Sequence, residues 1–146
     1  MEKLNTRSNY GYPDLVLHKG NGSGKNYIVC EIKRKETVEV DNPSLVKDIN
    51  KLGFFLRDDI HVKDSIVNWN GYKYGVFLLI GKYFQGGIVE IGEKDIEDYI
   101  DVSKVKVKPE LQERIICAIY NGAKLKYSNL KDLIEANSKT KTNKSI

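Results

Sequence analysis

The sequence is poor in the residues that soft metals and disulfide scaffolds require, with two cysteines and two histidines in 146 residues. Cys30 and Cys117 each lie in an apolar run, where a small buried thiol fits, and two cysteines do not make a disulfide framework. With His18 and His61 as the only histidines, no zinc cluster has the ligand number or spacing it needs. Any metal would be held by oxygens. Long apolar stretches are missing too: the run Val76–Ile80 falls far short of the ~20 residues that span a bilayer. The first twelve residues, MEKLNTRSNYGY, contain no apolar signal-peptide core. These absences predict a protein of the cytoplasm, or of another reducing compartment, without a membrane partner.

Charge of one sign is not in large excess either. Lys+Arg 24 against Asp+Glu 20 gives a net charge of +4, and 40% hydrophobic with 30% charged residues is ordinary for a folded domain. The excess is concentrated. Residues 1–35 carry Lys3, Arg7, Lys19, Lys25, Lys33, Arg34 and Lys35 against Glu2, Asp14 and Glu31, and the remainder balances. A mildly basic chain permits an anionic partner without demanding one. Whole-chain disorder is not expected, because a folded chain of this length buries roughly 70% of its unfolded surface in a single domain. There is no repeat and no heptad pattern. A single domain is expected over residues 1–136, followed by NSKTKTNKSI (137–146), which reads as a disordered basic tail.

Two strand-like runs, Tyr12–His18 (YPDLVLH) and Tyr27–Arg34 (YIVCEIKR), flank the glycine-rich segment KGNGSGKN, which predicts a hairpin. That segment has a superficial likeness to a phosphate-binding P-loop. The P-loop spacing would put Lys19 where a glycine is needed and Asn26 where Ser or Thr is needed, and a P-loop joins a strand to a helix. The likeness is therefore discounted. Pro43 and Ser44 open a helical pattern with Leu45, Ile49, Leu52 and Leu56 on one face, and Lys47, Asp48 and Lys51 elsewhere. Val76–Ile80, between two glycines, predicts a central strand, and Gly87–Ile91 a further short one. Leu111, Ile115, Ala118 and Ile119 predict a helix from Pro109 to about Asn121, and Ser128 is expected to cap a last helix carrying Leu130, Leu133 and Ile134. Around Gly122, a plain packing hairpin of these helices is favoured over a DNA-reading pair. The class is α/β (α+β), a mixed β-sheet with an antiparallel hairpin flanked by helices.

The hairpin carries the chemistry. If its loop is symmetric, cross-strand partners have numbers summing to 45, so Val16 faces Val29, Leu15 faces Cys30 and Asp14 faces Glu31. Alternation then puts Asp14, Val16, Val29, Glu31 and Lys33 on one face, with Leu15, Leu17, Ile28, Cys30 and Ile32 as an apolar underside. Opposed carboxylates repel and destabilise a sheet unless a cation lies between them. A hard divalent ion such as Mg²⁺ suits two carboxylates and several waters. With Lys33 beside it, such a centre suits phosphodiester hydrolysis: the metal acidifies a water while the lysine positions it and offsets developing charge.

Pro13-Asp14, followed by Glu31-Ile32-Lys33, resembles the signature of the PD-(D/E)xK nuclease superfamily, with its restriction-endonuclease-like core. The resemblance covers about residues 10–81, through the helix with the Lys47–Leu52 run and the Tyr74–Ile80 strand. It implies Mg²⁺ (or Mn²⁺) held by Asp14, Glu31 and the carbonyl of Ile32, with Lys33 assisting the attacking water. It also implies that Lys47 or Lys51 lines the site from the following helix. DNA is the default substrate of such a protein, and Arg34 and Lys35 are candidate phosphate contacts. Trp69, Tyr72 and Tyr74 around the Asn70-Gly71 turn are candidates for base stacking, though core packing is the commoner role. The resemblance departs at the start, since twelve residues precede Pro13 where the family carries a helix and a first strand. Three expectations follow: a minimal or truncated nuclease core, or a second copy in a homodimer or a partner that supplies the missing elements, or a site not used for cleavage. The alternative reading is a nuclease-fold protein that binds nucleic acid or a protein partner without turnover.

Overall fold

The structure is a computed structural model that describes residues 12–18, 26–35, 43–58, 71–81, 83–84, 87–88, 96–120, 122 and 124–144. The elements are β1 (Leu15–His18), β2 (Asn26–Lys35), α1 (Pro43–Leu56), β3 (Tyr74–Gly81), β4 (Tyr83–Phe84), β5 (Gly87–Ile88), α2 (Pro109–Gln112), β6 (Ile115–Tyr120), β7 (Leu125–Asn129) and α3 (Leu130–Lys144). Two 3-10 turns, Ile96–Asp98 and Val102–Lys104, lie between β5 and α2. Five strands form a mixed sheet in the order β1-β2-β3-β6-β7, antiparallel at its two outer pairs and parallel at its two inner ones. β4 and β5 form a separate small ribbon.

α1 forms where the apolar spacing predicts it, and Leu45, Ile49, Leu52 and Leu56 are all buried. It connects β2 to the parallel strand β3, the connection that parallel neighbours require. α1 lies on the odd-numbered face of the sheet against β2 and β3, where Val29, Phe77 and Leu79 join one core with Ile115, Cys117 and Ile119 of β6. Packing there is close. A Cβ on Gly75 would lie 2.9 Å from Leu56 Cδ1, so the helix rests directly on the β3 backbone.

The hairpin pairs as its sequence predicts, with Leu15 opposite Cys30, Val16 opposite Val29 and Leu17 opposite Ile28, before a bulge brings His18 to Asn26. The burial of its two faces reverses the expectation. The face carrying Asp14 and Glu31 is the one under α1, whereas the apolar set Leu15, Leu17, Ile28, Cys30 and Ile32 is half-open, with Leu15 49% and Leu17 50% exposed. Tyr74, Tyr120, Leu125 and Tyr127 extend this same open face across the other strands. Apolar content alone does not say which face the crossover helix covers.

The region after β5 departs from several further expectations. The helix after Pro109 lasts one turn, and Ile115–Tyr120 is a strand instead. A segment that is apolar at every position satisfies helical spacing as readily as a buried strand does, and its β-branched isoleucines favour the strand. Ser128 lies within β7, and Asn129 caps α3 instead, its Oδ1 accepting from Asp132 N at 2.8 Å. The pair around Gly122 is thus a strand hairpin, with Gly122 at φ 95° in its turn, where a side chain would be strained. α3 continues to Lys144, through most of the polar stretch read as a tail. Of the short strand expected over 87–91, Gly87–Ile88 is formed and residues 89–91 lie outside the described residues. Among the described residues, no helix is long and apolar enough to cross a membrane.

Candidate functional site

The site lies where β1 and β2 part company. The β-ladder ends at Leu15 and Cys30, and Asp14, one residue earlier, turns its carboxylate onto the next free amide: Ile32 N donates to Asp14 Oδ2 at 2.8 Å. The N–H and C=O of one strand residue point to the same side, so the Ile32 carbonyl lies along the edge that Asp14 occupies. Glu31 projects from the neighbouring position into the layer beneath α1 and is 2% exposed, the only buried charged residue among those described.

Two ion pairs tie β2 to α1. Lys51 Nζ lies 3.1 Å from Glu31 Oε1, and Lys33 Nζ lies 3.1 Å from Asp48 Oδ2. The spacing explains the crossing. Glu31 and Lys33 are two apart on a strand and share a face, Asp48 and Lys51 are three apart on a helix, and α1 runs back along β2. The later residue of one element therefore meets the earlier residue of the other. Lys51 also donates to the Tyr12 carbonyl at 2.9 Å, which pins the chain entering β1 over the site.

Glu31 is the electrostatically unusual group. Burial pushes its carboxyl from 4.5 up to about 7; the Lys51 ammonium pulls it down, and the Asp14 carboxylate adds to the rise. Oε1 is buried with no aligned hydrogen-bond donor, even though Lys51 Nζ is within ion-pair distance. A pair of adjacent carboxylates with an under-satisfied oxygen fits a hard divalent ion, which takes one or two carboxylates and keeps water on its remaining positions. The donor set stops at that pair: no group of three or more His, Cys, Asp and Glu among the described residues could hold a metal.

The structure thus brings together Asp14, Glu31, Ile32 and Lys51, with Lys33 held on the flank by Asp48. The other expected contacts are dispersed. Arg34 is exposed and, by alternation, lies on the sheet face opposite Glu31. The Lys35 side chain lies outside the described residues. Lys47 is exposed one turn before Lys51 and lines a groove on the outer side of α1. Of the aromatic trio, Trp69 is outside the described residues, Tyr72 is fully buried, and Tyr74 packs edge-on against Tyr27 at 5.7 Å. Asp48 was not legible as a site neighbour in the sequence. The signal that marks it is its opposite charge three residues from Lys51, matching the Glu31/Lys33 alternation.

No protein-family model, no curated protein and no solved structure matches this chain.

Proposed function

We propose that the protein is a Mg²⁺- or Mn²⁺-dependent nuclease that hydrolyses phosphodiester bonds, with DNA as its principal substrate. The observation that carries the proposal is the adjacency of Asp14 and a buried, electrostatically unsettled Glu31 at the end of a hairpin ladder. Burying a carboxylate is costly even when it is paired, and perturbed carboxylates gather at functional sites. In this reading Asp14, Glu31 and the Ile32 carbonyl hold the ion. When bound, the ion polarises the phosphate and acidifies a water.

The chain's own groups do the rest. Lys51, the ammonium nearest Glu31, offsets the Glu31 charge and is fixed in position by the Tyr12 carbonyl. Lys33, held by Asp48 beside the site, is the second cation available to orient the attacking water and offset negative charge on the phosphate. A second reading, binding without turnover, is favoured by one observation: each of the two lysines is already engaged by a carboxylate.

The test is cleavage of supercoiled, linear and single-stranded DNA and of RNA with Mg²⁺ or Mn²⁺, beside Glu31→Ala, Lys33→Ala and Lys51→Ala. The nuclease reading expects cleavage by the parent, loss of at least about a hundredfold in Glu31→Ala, and a comparable loss in at least one lysine variant. A well-folded parent that cleaves none of these substrates with either ion overturns it in favour of the binding reading.

A further inference from the structure

On the outer side of α1, away from the carboxylates, is a groove of about 640 Å³ lined by Pro43, Val46, Lys47, Asn50, Ser103, Lys104 and Lys106. Three of these residues are cations and none is an acid. One wall is the first two turns of α1, whose N-terminal end adds the partial positive charge of the helix dipole. The other wall is the extended segment after the second 3-10 turn.

That segment is fixed in place rather than draped. Asn50 on α1 accepts from Lys106 N at 2.7 Å and donates through Nδ2 to the Lys104 carbonyl at 3.5 Å, so one side chain holds both ends of the tripeptide. Val105 is extended, and it and Val107 pack toward the core. Alternation therefore turns Lys104 and Lys106 outward together, with their Cα atoms roughly 6.5 Å apart. Asp101 accepts from the Ser103 amide and hydroxyl through Oδ1, and its Oδ2 lies 3.8 Å from Lys104 Nζ. Lys104 itself remains 63% exposed.

Lys47 joins this groove to the carboxylate site. It is one helical turn from Lys51, and residues four apart on a helix are surface neighbours with Cβ atoms about 6 Å apart. The cations thus run from Lys104 and Lys106 across the groove to Lys47 and on to Lys51 at Glu31. We propose that this groove is a binding track for the phosphodiester backbone of a nucleic-acid strand, with Lys47, Lys104 and Lys106 contacting successive phosphates. The inference rests on the nuclease reading for the choice of nucleic acid, and it adds Lys104 and Lys106, which the sequence did not single out.

The test measures binding separately from cleavage. A fluorescein-labelled 20-nucleotide single strand, the matching duplex and an RNA of the same sequence are titrated in chelator, followed by anisotropy. The parent is compared with the Lys47→Gln, Lys104→Gln, Lys106→Gln triple variant and with a charge-matched control, Lys73→Gln, Lys124→Gln, Lys131→Gln; circular dichroism verifies that all three fold. The track expects the first triple to bind roughly tenfold or more weakly at low salt, with the slope of log affinity against log salt reduced by about 2–3, while the control shifts far less. Equal losses in both triples, or none in the first, overturn the track and leave the nuclease reading standing. Binding lost only in the first triple, from a parent that does not cleave, supports the track while the nuclease reading fails. A parent that binds none of the three probes overturns both.

Discussion

Glu31→Gln keeps the shape of the buried side chain and removes its charge, so it isolates the electrostatics of the site. In the parent the carboxyl titrates at about 7 in the fold and near 4.5 in the unfolded chain. Between those values the native state holds a proton that the unfolded state has released, and stability falls by about 1.4 kcal/mol per pH unit. The contribution is therefore fully present below pH 4.5 and lost by the time pH has risen through 7. The full window corresponds to at most about 3 kcal/mol, less where solvent relaxation screens the charge. With a urea m-value of ~2 kcal/mol/M, that is a midpoint shift of up to ~1.5 M. Other groups titrate over the same range, so the quantity to read is the parent-minus-variant difference. Urea melts of both proteins from pH 4.5 to 8.5, in chelator, should show the parent losing ground steadily to Glu31→Gln as pH rises. Adding Mg²⁺ at pH 8 should restore the parent and leave the variant unchanged, because ligand binding to the native state stabilises it. A difference that is flat with pH would refute the premise that Glu31 is held against its charge.

Three other outcomes follow from the packing. Gly53→Ala puts a Cβ 2.9 Å from Val107 Cγ2, so it should destabilise the fold by about 1–3 kcal/mol despite alanine's better helix propensity, as a thermal melt would read. Leu52→Ala, in the sealed layer under α1, should cost about 2–5 kcal/mol, whereas Leu17→Ala on the half-open face should cost well under half of that; equal losses would mean the two faces are equally covered. Burial pushes the Cys117 thiol up to about 12 and raises that of the half-buried Cys30 as well, so iodoacetamide at pH 8 should modify Cys30 slowly and Cys117 only after denaturation.

What was legible in the sequence was whatever a single element decides by itself. The hairpin register follows from loop symmetry, and the α1 face follows from the spacing of Leu45, Ile49, Leu52 and Leu56. What was not legible depends on a second element. The strand Ile115–Tyr120 is apolar at every position and flanked by β3 and β7, and such a run carries no period to separate strand from helix. The covered face of the hairpin was likewise decided by α1, whose side of the sheet no property of residues 12–34 records.

The same division explains the lysines. Alternation along β2 correctly places Lys33 beside Glu31, but it does not say which acid Lys33 meets, because Asp48 comes from the helix crossing above. Opposed acids on a strand pair call for a cation, and in the metal-free site that cation is Lys51, reaching down from α1 to Glu31. A divalent ion arriving at Asp14 and Glu31 would compete with that ammonium for the same carboxylate. Lys51→Met should then have two separable effects: the Glu31 carboxyl rises further, since Lys51 is what lowers it, and metal binds without having to displace a cation. The two effects oppose each other in affinity but differ in pH dependence. At a pH high enough for Glu31 to be ionised in both proteins, Lys51→Met should bind Mn²⁺ more tightly than the parent by calorimetry; near pH 6 the advantage should shrink or reverse. A variant that binds Mn²⁺ more weakly than the parent at every pH would mean that Lys51 holds the carboxylates in place for the ion rather than occupying its position.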